Sequence, residues 1–147
     1  MTDSTTARPP SVVPMVTYED AAAAIEWLER AFGFVERREA RHTGEDGSIG
    51  HAELEHNGGL IMLAGPLPHY QSPTHHAQTC EAARRWQEVP WVIDGVLVHV
   101  DDVEAHFAQA KAAGAVLLSE VEDENYGRLY RAADLEGHRW MFLQPTS

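Results

Sequence analysis

His51 and Glu53 are two positions apart, with Ala52 between them, in a strand-like segment, Ile49-Gly50-His51-Ala52-Glu53-Leu54. Strand alternation puts both on one face and turns Ala52 and Leu54 to the other. An imidazole beside a carboxylate can hold a polar ligand or serve as general acid and base. The plain alternative is a histidine hydrogen-bonded to a neighbouring strand. His99, within Val98-His99-Val100, carries the same two readings. His51, His99 and Glu53 are also side-chain types that suit zinc, but their spacing forms no motif.

Other reactive side chains give weaker signals. His69, His75 and His76 lie in a segment rich in Pro, His and Gln. No Cys or carboxylate stands at a matched metal-ligand spacing. Cys80 has only Arg84 near it to lower its pKa, so it reads as inert. Arg128 and Arg139 could pair with a carboxylate or phosphate, or simply form surface ion pairs. Tyr126 and Tyr130 could stack on a planar ligand, or serve core or dimer packing. No glycine-rich phosphate loop, nucleophile elbow or CxxC pair is present.

The elements that must position these groups occur twice. Val16-Thr17-Tyr18-Glu19-Asp20 leads into an alanine-rich amphipathic stretch that stops at Gly33. Val98-His99-Val100-Asp101-Asp102 leads into another, which stops at Gly114. Asp20 and Asp101 each precede their glycine by 13 positions. Asp20 suits a helix cap, and Ala24, Ile25, Leu28, Ala31 and Phe32 follow at helical spacing. Strand-like segments follow each helix. They include Phe34–Glu39, Ile49–Leu54 and Leu60–Ala64 in the first half, and Val116–Ser119, Arg128–Arg131 and Arg139–Leu143 in the second. Asn57-Gly58-Gly59 marks a hairpin.

Residues 1–10 read as a flexible lead-in, 11–64 as a first βαβββ module and 91–147 as a second. Residues 65–90 form a linker with a short helix at Glu81–Trp86. Together they make one α+β domain of two modules in pseudo-twofold arrangement, an open and incompletely closed barrel around a cleft. Alternation turns His51, Glu53, Met62, Leu97, His99 and Met141 toward that cleft. It pairs Arg128 with Tyr130 on one strand face and Arg139 with Met141 and Leu143 on another. Trp140 and Phe142 read as core beneath the helices, and Trp27 and Trp86 as surface or interface residues.

Composition narrows the partners. The net charge of −12 opposes binding to nucleic acid or to anionic membranes. No apolar run is long enough to span a bilayer, and the N-terminus lacks a secretion-signal pattern. The single cysteine fits a reducing cytoplasm. Cytoplasmic residence is therefore the expectation.

The chain resembles the vicinal oxygen chelate superfamily of glyoxalase I, bleomycin-resistance proteins, extradiol dioxygenases and epimerases. The resemblance rests on Ala31-Phe32-Gly33-Phe34, His51-Ala52-Glu53-Leu54, Val100-Asp101-Asp102-Val103, Tyr126-Gly127-Arg128 and Asp134-Leu135-Glu136-Gly137-His138-Arg139-Trp140. It implies metal-ligand positions on the first and fourth strands of each module. These fall on Val13, Met62, Gly95 and Met141, none of them a hard ligand. A slip of one residue would replace Gly95 with Asp94. The expectation is a metal-free binder of the bleomycin-resistance type, sequestering a hydrophobic or aromatic compound as an antibiotic-resistance protein, in a cleft rich in methionine. The resemblance also implies a homodimer, and leaves open whether each cleft lies within one chain or across two. The alternative is a glyoxalase-like lyase or isomerase using His51 and Glu53, with or without a relocated divalent metal such as Zn, Ni, Mn or Fe. The ligand-binding candidates are His51, Glu53, Met62, Leu97, His99, Arg128, Tyr130 and Met141.

Overall fold

Two aspartates start the two long helices in the same way. The computed structural model describes residues 8–146; residues 1–7 of the expected lead-in lie outside them. The Asp20 carboxylate accepts the backbone N–H of Ala23, at 3.0 Å, and opens α1 (Ala21–Phe32). The Asp102 carboxylate accepts that of Ala105, at 3.1 Å, and opens α4 (Val103–Ala112). The cap of α4 is thus Asp102 and not Asp101, the acid that the repeat alignment matches to Asp20. Gly33 ends α1 with a φ of 81°, a conformation that costs glycine nothing.

Each helix follows a strand of its own module. In the first, β1 (Met15–Thr17) pairs in parallel with β5 (Gly59–Gly65). Next to β5 lies antiparallel β4 (Ile49–His56), which in turn pairs with β2 (Val35–Glu36) and β3 (His42–Thr43). The second module repeats the order. Parallel β6 (Val96–His99) and β10 (Arg139–Pro145) are followed by β9 (Gly127–Ala133), which pairs with β7 (Val116–Leu117) and β8 (Glu122–Glu124). The register repeats as well: Met15 pairs with Met62, and Leu97 with Met141. The fold is α+β, two similar modules with no closed barrel.

Several strands are shorter than their sequence patterns predict. The Phe34–Glu39 pattern yields β2 only, because Arg38–Ala40 turn into a 3-10 helix. Ahead of α4 only β6 is extended, because Asp94 adopts a φ of 52° and breaks the chain before it. Between the modules, α2 (Pro73–Ala77) precedes α3 (Glu81–Trp86). The acidic edge strand β8 has no apolar alternation to betray it.

The two modules share one core through their helix-covered faces. Leu54, Ile61 and Leu63 of the first sheet, α1 and α4, and Val98, Tyr130, Trp140 and Phe142 of the second belong to one buried cluster. Phe32 lies 4.6 Å from Phe142 by ring centroid, and Phe34 5.5 Å from Trp140. Trp27, expected at the surface or an interface, lies at the seam between the modules. It is 7% exposed, and its indole N–H donates to the Ala113 carbonyl.

Polar groups lock the seam. The buried Asp134 carboxylate accepts the Tyr18 hydroxyl at 2.6 Å and the Trp140 indole N–H at 3.0 Å. The Glu136 carboxylate accepts the backbone N–H groups of Glu19 and Asp20 at 2.7 and 2.9 Å. His106 spans the same seam. Its Nε2 donates to the Phe32 carbonyl at 2.8 Å. Its Nδ1 then accepts the Tyr130 hydroxyl at 2.6 Å in the neutral ring. His56 lies 6.3 Å from His106 by ring centroid, and its Nδ1 is buried with no partner among the described residues.

Burial is the main cause that pushes the pKa of both His56 and His106 below the ordinary value of 6.5. Both rings are therefore neutral in the fold, while the unfolded chain takes up protons first as pH falls. Their share of stability is complete above about pH 6.5 and is lost as pH falls through the lowered folded-state values. Melting temperature should accordingly drop between pH 7 and 5, and His106→Gln should flatten that drop while lowering stability at pH 7. Scanning calorimetry across that range checks both outcomes.

Candidate functional site

Sharing a core through the helix faces turns the other face of each sheet outward. On the first sheet that open face carries Met15, Met62 and Glu53 in one cross-strand row. His51 Nε2 lies 2.8 Å from Glu53 Oε2. Arg37 Nη1 donates to Glu53 Oε1 at 3.0 Å, and its Nε lies 3.3 Å from Glu55. His42 pairs across from His51, with ring centroids 6.0 Å apart. The Glu53 carboxylate thus spends one oxygen on Arg37 and one on His51, which fixes the imidazole orientation. Neutral His51 donates from Nε2 to that carboxylate and keeps its Nδ1 lone pair. The shared face of His51, Glu53 and Met62 follows the sequence reading. Arg37 does not, because the strand expected to run through it stops at Glu36.

The open face of the second sheet carries Leu97 opposite Met141, and His99 opposite Leu143. Arg131 lies beside Met141. Its Nη1 donates to Glu122 at 2.8 Å, and its Nε is buried without a partner among the described residues. Leu97 is 51% exposed and Met15 81%.

Arg128 and Tyr130 lie on the opposite face from the one the sequence assigns them. The turn at Asp134–Gly137 closes so that Ala133 meets Arg139, which places Tyr130 opposite Phe142. Phe142 faces the helices, so Tyr130 does too. It is wholly buried against His106. Arg128 binds Glu104 of α4 and Asp123 of β8. Counting back from that turn would have found Arg131 in their stead. Arg139 is no ligand clamp either: its guanidinium donates to the backbone carbonyls of Gln87, Val89 and Trp91. In the linker, His75 is tied to Glu19 at 3.0 Å and serves structure.

The four family ligand positions offer no imidazole, carboxylate or thiolate, so a divalent cation does not fit them. Met62 and Met141 supply only thioethers. Gly95 is tighter still. A Cβ there would collide with the Val92 side chain and with the backbone carbonyl of Arg139. Asp94, the alternative by a one-residue slip, sits in the turn before β6 with its left-handed φ. Among the described residues, no three His, Cys, Asp or Glu side chains converge as a metal site, and no helix is long and apolar enough to cross a membrane.

Two similar modules on one core, each a long helix on a five-stranded sheet with methionine on its outward face, define a paired-module α+β protein. Residues 11–142 match the glyoxalase/bleomycin resistance protein/dioxygenase superfamily, and the chain belongs to it. An uncharacterised protein of Mycobacterium tuberculosis is 35% identical over 142 residues, 93% of this chain and 75% of that protein. The crystal structure of TioX from Micromonospora sp. ML1 is 31% identical, covers 94% of this chain and 98% of that one, and superposes with a TM-score of 0.66. That of TnmS3, an antibiotic binding protein from Streptomyces sp. CB03234, is 18% identical and shares the fold. Its TM-score is 0.61, over 95% of this chain and all (100%) of that one.

Tyr130 is wholly buried against His106, so its hydroxyl serves the core. Tyr130→Phe should cost about 1–2 kcal/mol in urea unfolding, the worth of a buried hydrogen bond whose partner stays behind. The same variant should bind any small molecule as tightly as wild type, which isothermal titration calorimetry would read.

Proposed function

We propose that this protein is a homodimeric binder of hydrophobic or aromatic small molecules that works without a metal. The observation that carries the reading is the pair of outward methionine-bearing faces, one on each module. Met15 and Leu97 would not stay exposed if a second chain covered them. A two-fold dimer can set the first-module face of one chain against the second-module face of its partner, and generates two equal clefts. Each cleft would then have Met15, Met62, Leu97 and Met141 as an adaptable apolar wall. His51, Glu53 and His99 would orient polar groups of the ligand. TnmS3, with the same fold, is described as an antibiotic binding protein, which supports sequestration and hence antibiotic resistance as the biological role. With one cysteine and an acidic surface, the cytoplasm is the compartment we propose.

Leu97→Glu puts a charge on the proposed contact without touching the core. It should convert a dimer to a monomer in light scattering and weaken binding of planar apolar drugs at least about tenfold. A dimer of unchanged mass would overturn the cross-chain cleft. The metal-free part has its own check. Protein dialysed after purification should hold far less than one equivalent of zinc, nickel, manganese or iron by mass spectrometry, and a retained equivalent would refute it.

One observation favours a second reading. The 2.8 Å His51–Glu53 contact, with Arg37 on the far oxygen, is the arrangement of an oriented general base. A glyoxalase-like lyase or isomerase built on it would lose its activity in His51→Ala.

A further inference from the structure

One cleft borders the open face of the second sheet at Arg139 without reaching its apolar row. It measures about 680 Å³ and lies between the linker and the start of the second sheet. None of His51, Glu53, Met62, Leu97, His99 or Met141 lines it. Its volume falls in the range of drug-sized sites. We propose that it is a separate binding site for a flat aromatic molecule carrying a basic amine. The ring would stack on Trp86, the protonated amine would meet Asp94, and an acceptor atom would take the Tyr70 hydroxyl proton.

Three features specify that ligand. First, the wall is apolar where a ring would lie: Pro73, Ala83, Ile93 and the Trp86 indole line it. Trp86 sits on α3, is 61% exposed, and makes no aromatic contact among the described residues. A large apolar surface left open beside a cavity is a stacking platform.

Second, the Asp94 carboxylate has no direct partner. It has no hydrogen bond and no cation within 4.0 Å among the described residues. The cation on the same wall, Arg139, already points its N–H groups at three backbone carbonyls. Arg139 thereby fixes the segment before β6 as a wall, and the three carbonyl dipoles offset part of its charge. The net charge of −12 adds to the pull on a cation.

Third, Tyr70 has a hydrogen to give. His138 Nε2 lies 2.7 Å from the Thr17 carbonyl, which can only accept, so that nitrogen carries the proton. The Tyr70 oxygen, 3.1 Å from the same nitrogen, can therefore only accept there. Its own hydrogen has no acceptor among the described residues. Burial pushes the Tyr70 pKa up to about 12, so the phenol remains a neutral donor.

The probe is quinacrine, a flat cationic acridine bearing a methoxy oxygen; the counter-probe is acridine-9-carboxylate, flat and anionic. Binding is read by calorimetry and by quenching of tryptophan emission in the full-length protein. Wild type should bind quinacrine at least about tenfold more tightly than the carboxylate. Trp86→Ala and Asp94→Asn should each weaken quinacrine about tenfold, and Tyr70→Phe a few-fold. Asn tolerates the left-handed φ of position 94 and Trp86 is exposed, so both variants should melt as wild type does. Equal affinity for the two probes would overturn the proposal. So would quinacrine binding that survives Trp86→Ala and Asp94→Asn, or binding that only Leu97→Glu removes, which would move the ligand to the open faces.

Discussion

The Asp134 carboxylate is the interaction on which the arrangement of the two modules rests. It sits in the β9–β10 turn of the second module and accepts a hydroxyl from the first, Tyr18, together with the indole of Trp140. Each buried donor left without it would cost about 1–3 kcal/mol, so the turn is held against the start of α1. Glu136 adds two backbone N–H groups from the same place. With one end of the seam fixed there and the other by His106 on the Phe32 carbonyl, the helices are trapped between the sheets. The sheet faces opposite them have nowhere to point but outward. The Tyr18 hydroxyl is itself held protonated, chiefly by burial and then by the adjacent carboxylate, which keeps the donor in place.

Much of this was legible in the residues. The repeated helix pattern and the Asp134–Trp140 segment give two modules and their order. Alternation places His51 and Glu53 on the open face because they sit within an apolar–polar stretch, whereas Met62, Leu97 and Met141 lie in unbroken apolar runs and are placed by the two-residue strand period alone. Tyr130 and Arg128 escaped because β9 was read without reference to its hairpin partner. Face assignment within one strand is ambiguous when both faces are buried, and Leu129 and Tyr130 are both fully covered. Register with Phe142 resolves it. Arg37, Arg131 and Arg139 were obscure for another reason. Their partners are carboxylates and carbonyls brought close only by folding, and no local spacing announces them.

The linker shows the same limit more sharply. Its prolines and histidines suggest little beyond a connection. In the fold it is strapped on three sides: Ser72 and His75 to Glu19, Thr74 to the Glu136 carbonyl, and the 87–91 carbonyls to Arg139. A connection held this way behaves as a wall beside the start of the second sheet.

Gly95 has a consequence for what the fold tolerates as well as for chemistry. The Arg139 backbone and Val92 fill the volume that a side chain at position 95 would need. Any larger residue there requires the neighbouring strand to retreat, and that strand carries Trp140 into the shared core. A change at position 95 is therefore felt in the packing between the modules, whereas the exposed apolar faces can be reshaped without disturbing it.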